Sequence, residues 1–173
     1  MNQQDGRAAT ERQEAAAAPD LAGLLSGFPV LRQFPTAALA QITASARTVT
    51  FARGQRVFCE GEQAEGCWLL HDGRVALDVF IPGRGLVVVQ TLSRGDILGW
   101  SWLVPPYRWH FGATATERTT ATALDTGQLR ALAEQDPAFG YALATTLFAA
   151  MLQRLQATRA RLLDLYRSPR DQY

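Results

Sequence analysis

The chain has 173 residues, 47% hydrophobic and 19% charged, a composition that fits one globular domain and excludes a disordered chain. Its formal net charge of +1 excludes a global field for nucleic acid or for an anionic membrane. All 17 basic residues are Arg, so Schiff-base lysine chemistry is excluded, and the longest apolar runs fall short of the ~18 residues that span a bilayer.

Residues 1–19 are polar, then Ala-rich, and are expected to form a mobile tail. With no basic segment ahead of an apolar core, they do not read as a secretory leader, and a cytoplasmic location is expected by default. Asp20 is positioned to cap a short helix, DLAGLLSGF, ended by Pro29. A second helix is predicted after Pro35, with Thr36 near its cap and Leu39, Ile42 and Ala46 at helical spacing.

From residue 47 the hydrophobic period changes to two. The predicted strands are 47–52, 55–59, 67–71, 74–81, 86–92, 112–117 and 119–125, separated by Gly-containing turns at 53–54, 60–66, 72–73, 82–85 and 93–96. In 74–81, Val75, Leu77, Val79 and Ile81 share one face and Arg74, Ala76, Asp78 and Phe80 the other. Short strands joined by Gly turns at regular spacing predict a β-barrel or sandwich. At Thr126 the period changes again. TGQLRALAEQ is predicted as a short helix capped by Thr126, and Asp136 as the cap of a long one with Pro137 in its first position. Phe148, Met151, Leu155, Thr158, Leu162 and Leu165 then step by three and four, a heptad seam. It extends beyond what a small barrel can cover, which predicts a paired dimer helix. Thr158 would weaken the pair and fix its register. The expected organisation is a tail (1–19), helices and barrel (20–135), the long helix (136–168) and a short tail (169–173).

Cys59 and Cys67 form no CxxC and, with His71 and His110, are too few for a recognisable metal site. Both are expected to be partly buried thiols. No paired carboxylates, nucleophile elbow or phosphate loop is present, and the GRG at 83–85 reads as a hairpin turn, so no enzyme activity is expected.

Three segments resemble the cyclic-nucleotide-binding domains of the Crp/Fnr type. FARGQRVFCEGEQAEGCWLLHDGRVAL (51–77) is similar to their opening strands, GDILG (95–99) to the entry of their phosphate-binding cassette, and ATERTTATALD (115–125) to their closing strands. The resemblance covers about residues 21 to 166. It implies a mainly β fold with flanking helices, a double-stranded β-helix or jelly-roll barrel with a long C-terminal dimerisation helix. It also implies a cyclic nucleotide as ligand. In that family a cassette Glu accepts the ribose 2′-hydroxyl, and an Arg ten or eleven residues after the cassette Gly pairs the phosphate through its guanidinium fork.

Here the cassette reads LGWSWL. Trp100 stands at the Glu position, and counting from Gly99 reaches Trp109 or His110 rather than Arg108. A one-residue slip in extended chain turns a side chain to the opposite face. Losing one charged partner of a buried phosphate costs about 2–5 kcal/mol, so cAMP or cGMP is expected to bind weakly or not at all. Trp100, Trp102, Tyr107, Trp109 and Phe111 either fill the pocket themselves or line an altered one, in which Gly99, Trp100, Ser101, Arg108, Trp109, His110 and Phe111 are the candidate ligand contacts. His110 is a candidate titrating group.

The chain ends seven residues after Tyr166, where the family's transcription factors continue into a helix-turn-helix module, so direct DNA binding is not expected. Arg154, Arg159, Arg161 and Arg167 read as a solvated coiled-coil flank. The expectation is a stand-alone, homodimeric regulatory or sensory domain that signals through its long helices or a protein partner. The alternatives are a ligand-free interaction scaffold and a regulator acting with a DNA-binding partner.

Overall fold

The computed structural model describes residues 20, 23, 27, 28, 31, 32 and 34–166, with only the backbone of residues 161, 162 and 164–166. The expected tails and most of the predicted 20–28 helix lie outside these residues. Helix α1 (Thr36–Ser45) follows Pro35, which stands at its N-cap without a side-chain cap bond, so Thr36 is the first helical residue. Leu39, Ile42 and Ala46 are buried, as their spacing predicts.

Eight strands follow: β1 (Arg47–Phe51), β2 (Arg56–Phe58), β3 (Cys67–Asp72), β4 (Val75–Ile81), β5 (Gly85–Leu92), β6 (Ile97–Leu98), β7 (Gly112–Ala115) and β8 (Thr119–Leu124). Seven match the strands read from the sequence. β6 is the addition; its two residues are too few to show a period. The strands form two antiparallel four-stranded sheets, ordered β1-β8-β3-β6 and β2-β7-β4-β5. Val49, Leu69, Val75, Leu77, Leu92, Ala113, Ala115 and Ala121 bury their side chains in the core. This is the jelly-roll arrangement with flanking helices.

On β4, Val75 and Leu77 join the core while Asp78 is buried on the other face, where Arg56 covers it. β5 has one extra residue opposite Leu77 and Asp78, a bulge that accommodates the edge strand.

Helix α2 (Thr126–Gln135) is capped by Asp125, whose carboxylate accepts the Gln128 amide at 2.9 Å. This corrects the expected Thr126 cap; the Thr126 hydroxyl instead donates to the Glu65 carbonyl. Asp136 ends α2 and starts α3 (Pro137–Tyr166), its carboxylate accepting the amides of Ala138 and Phe139. Phe139, Leu143 and Leu147 are buried, and half-buried Ala150 and Arg154 continue that stripe at helical spacing. Beyond Arg154 every residue from 155 to 160 is exposed. Among the described residues no helix is long and apolar enough to cross a membrane.

Candidate functional site

The segment 95–111 runs from the β5–β6 turn to the start of β7. Its entry is fixed at Gly99, which has φ +85°. A Cβ there would meet the Gly66 carbonyl oxygen at 2.5 Å and the Trp109 ring at 3.0 Å, so only glycine fits both the conformation and the space. The chain then makes a tight turn in which the Leu103 amide donates to the Trp100 carbonyl. Its return limb pairs with the 61–64 loop: the Gly61 and Ala64 amides donate to the carbonyls of Trp109 and Tyr107, and the Trp109 amide donates to the Glu62 carbonyl.

That pairing decides which side chains enter. Trp109 turns inward, 5% exposed, and stacks on Phe58 with ring centroids 3.9 Å apart and 15° between planes. Trp68 lies beyond, stacked on Phe58 at 5.9 Å and tilted against Trp109 at 6.2 Å. Trp102 is 1% exposed and sits deeper in the core, its indole N–H donating to the Gly99 carbonyl. Gly99, Trp100, Ser101, Trp109, His110 and Phe111 surround a cavity of only about 20 Å³, room for about one water. Pockets for small ligands run to about 300–1,000 Å³.

Arg108 is not in this cavity. Being one residue before Trp109, it takes the outward face; its exposed guanidinium donates to the Gly61 carbonyl at 2.8 Å. Arg108, expected as a ligand contact, therefore does not line this cavity. The other six candidates are brought together, with His110 and Phe111 exposed at the rim and Ser101 buried.

The guanidinium that does line the cavity belongs to Arg154 of α3. Its carbon lies 3.9 Å from the centre of the Trp100 ring, and an amino group donates to the Ile97 carbonyl. Burial lowers its pKa to about 10, partly countered by Asp96, so it stays charged at neutral pH. This corrects the reading of Arg154 as a solvated flank; Arg159 is exposed as expected, and Arg161 and Arg167 lie outside the described side chains. A signal was present: Leu143, Leu147, Ala150 and Arg154 step by four, three and four, the period of the barrel-facing stripe. Phe58 and Trp68 were also missed, since alternation marks them as core and cannot show which rings stack.

A second arginine reaches the same loop from α2. Arg130 lies over Tyr107 at 4.8 Å and donates to the Trp102 carbonyl, while remaining exposed. Tyr107 has φ +57°, a left-handed conformation uncommon outside glycine. A groove of about 530 Å³ also opens beside Arg154, between α3 and the chain from β5 to β6.

The thiols differ from expectation. Cys67 is buried in an apolar pocket with Trp102, and burial pushes its pKa up to about 12, which keeps it protonated; Cys59 is exposed. No group of three or more metal-binding side chains occurs among the described residues.

A jelly roll entered by a Gly turn, with a short cassette and a long following helix, defines the class of cyclic-nucleotide-binding domains. Residues 48–136, just over half of the chain, match the cyclic nucleotide-binding domain model, and the chain belongs to that family. Among solved structures it is similar to a candidate cyclic nucleotide-binding protein from Geobacter metallireducens GS-15, with 27% identity, TM-score 0.68, and coverage of 77% of this chain and 96% of that one. It is also similar to a cyclic nucleotide-binding domain from Methylobacillus flagellatus KT, with 15% identity, TM-score 0.73, and coverage of 91% and 90%. A third is the N-terminal domain of a transcriptional regulator from Streptomyces coelicolor A3(2), with 25% identity, TM-score 0.57, and coverage of 81% and 95%. No curated protein matches the chain.

Proposed function

We propose that this is a cytoplasmic, non-enzymatic regulatory domain of the cyclic-nucleotide-binding fold, whose cassette is filled by its own side chains and does not hold a cyclic nucleotide tightly. The observation that carries this reading is Trp109 stacked on Phe58, the two rings walling a cavity of only about 20 Å³, with Arg108 turned outward. A cyclic phosphate would find no free guanidinium fork at the cassette, and a ribose no carboxylate at position 100.

Output would pass through α3. Phe148, Met151 and Leu155 are 66%, 47% and 66% exposed, and Thr158 is exposed beside them. An apolar row at this spacing, on a helix that continues past its own barrel, supports pairing with a second copy. The side chains of Leu162 and Leu165, which would extend the row, lie outside the described ones. Docking to a protein partner is the other route. The small cavity also favours a second reading, a scaffold with no small ligand.

Native mass spectrometry on freshly purified protein separates the two. A reproducible small-molecule adduct on a dimer supports a sensor with an unfamiliar ligand, and a clean dimer mass supports the scaffold. A stoichiometric cyclic-nucleotide adduct would contradict both.

A further inference from the structure

Two arginines from two helices meet the cassette in the same way. Each guanidinium lies over an aromatic ring of the segment, Trp100 or Tyr107, and donates to one of its main-chain carbonyls, Ile97 or Trp102. Ring faces and carbonyl oxygens are both electron-rich, so this pairing selects a flat, delocalised cation over an anion. Asp96, next to Ile97, adds a full negative charge on the same side. The half-buried limb is Arg154 and the exposed limb Arg130.

We propose that residues 97–107 form a receptor for planar cations of the guanidinium class, whose resident ligand is the chain's own Arg154, with Arg130 in a second and more exposed copy of the arrangement. This deepens the reading of the cassette as self-filled and rests on it. The occupant arrives on α3, so seating it holds that helix against the barrel at the last turn the barrel covers. Leu155, the next residue, already belongs to the exposed row. A free molecule bearing a guanidinium or amidinium group would compete for the Trp100 face and the Ile97 carbonyl. Displacing Arg154 would release α3 at the turn where the pairing row leaves the barrel. The groove beside Arg154 gives such a molecule a path of approach.

The test is hydrogen exchange on the full chain without nucleotide, so that it reads the arginine contact whether or not cyclic nucleotides bind. Arg154→Met keeps the length of the stem and removes the cation. It is expected to accelerate exchange in 97–103 and in α3 around 147–158 by about tenfold. Should that variant not fold, Trp100→Leu removes the ring and is expected to give the same pattern. In Arg154→Ala, millimolar methylguanidinium is expected to restore protection of 97–103. Methylammonium and sodium chloride at equal ionic strength are expected to leave it unchanged. Exchange in 97–103 equal to wild type in both Arg154→Met and Trp100→Leu would overturn the proposal. So would restoration that fails, or that any monovalent cation supplies equally. Cyclic-nucleotide binding by the wild-type chain would instead defeat the proposed function and leave this experiment's reading intact.

Discussion

Asp78 is 4% exposed on the non-core face of β4 and is held by Arg56 through two bonds, at 2.5 and 2.9 Å, while Arg56 also donates to Thr114 at 2.9 Å. Space for the guanidinium comes from Gly112, where a Cβ would lie 1.7 Å from Arg56 Nη2. Arg56→Met would leave a buried carboxylate unpaired. Because Arg56 itself keeps some solvent contact, the expected loss is about 2–3 kcal/mol, below the 3–5 kcal/mol of a fully buried pair; urea denaturation of the two proteins checks it. His71 is a second residue with a defined consequence. Its Nε2 lies 2.6 Å from the Thr122 hydroxyl, and burial, with Arg94 adding to it, lowers its pKa. As pH falls through about 6.5 the unfolded chain takes up the proton first. Stability from this group is therefore full above that pH and declines below it, until the folded form also protonates. Melting temperatures between pH 7.5 and 5.5 are expected to fall more for wild type than for His71→Gln; parallel curves would remove His71 from the acid response. At this scale the sequence was only partly legible. Arg108, one residue off the family position, does face outward, and the guanidinium that lines the cavity belongs to a residue 46 positions later. No local pattern joins Arg154 to Trp100; the barrel-facing period of α3 was the available clue.

The elements were legible because their periods differ. Alternation marked seven of the eight strands, steps of three and four marked α1 and α3, and the change of period at Thr126 with a capping residue marked α2. Failures fell where an element is too short for a period, as at β6, or where two polar residues compete to cap, as at Asp125 and Thr126. The long helix presents two stripes with different tasks. One, through Phe139, Leu143 and Leu147, covers the barrel, and the other, through Phe148, Met151 and Leu155, is exposed. The exposed stripe does not support the fold of one copy. Met151→Glu with Leu155→Glu is therefore expected to convert a dimer to a monomer at tens of micromolar in sedimentation equilibrium, while strand-region circular dichroism stays unchanged. A wild-type monomer at that concentration would contradict the pairing. Asp125→Ala is expected to cost about 1 kcal/mol, as loss of a capping carboxylate does, with no effect on oligomeric state.

For the whole molecule, fold and ligand chemistry separate. The jelly roll and its following helix are carried by core alternation, turn glycines and caps spread over more than a hundred residues, so the family pattern survives in the sequence. The site depends on a handful of side chains, whose replacement leaves the shell intact. Whether five aromatic residues fill a pocket or line it depends on which rings stack, and that lies in three dimensions: Trp109 stacks on Phe58, Trp102 joins the core, Trp100 receives Arg154, Phe111 stays at the rim, and Tyr107 lies under Arg130 outside the cavity. The central claim is that the inherited cradle is occupied from within. Isothermal titration of cAMP into the wild-type chain tests it most directly. The filled cassette predicts no saturable heat up to about millimolar nucleotide; a stoichiometric isotherm with micromolar or tighter Kd would contradict it.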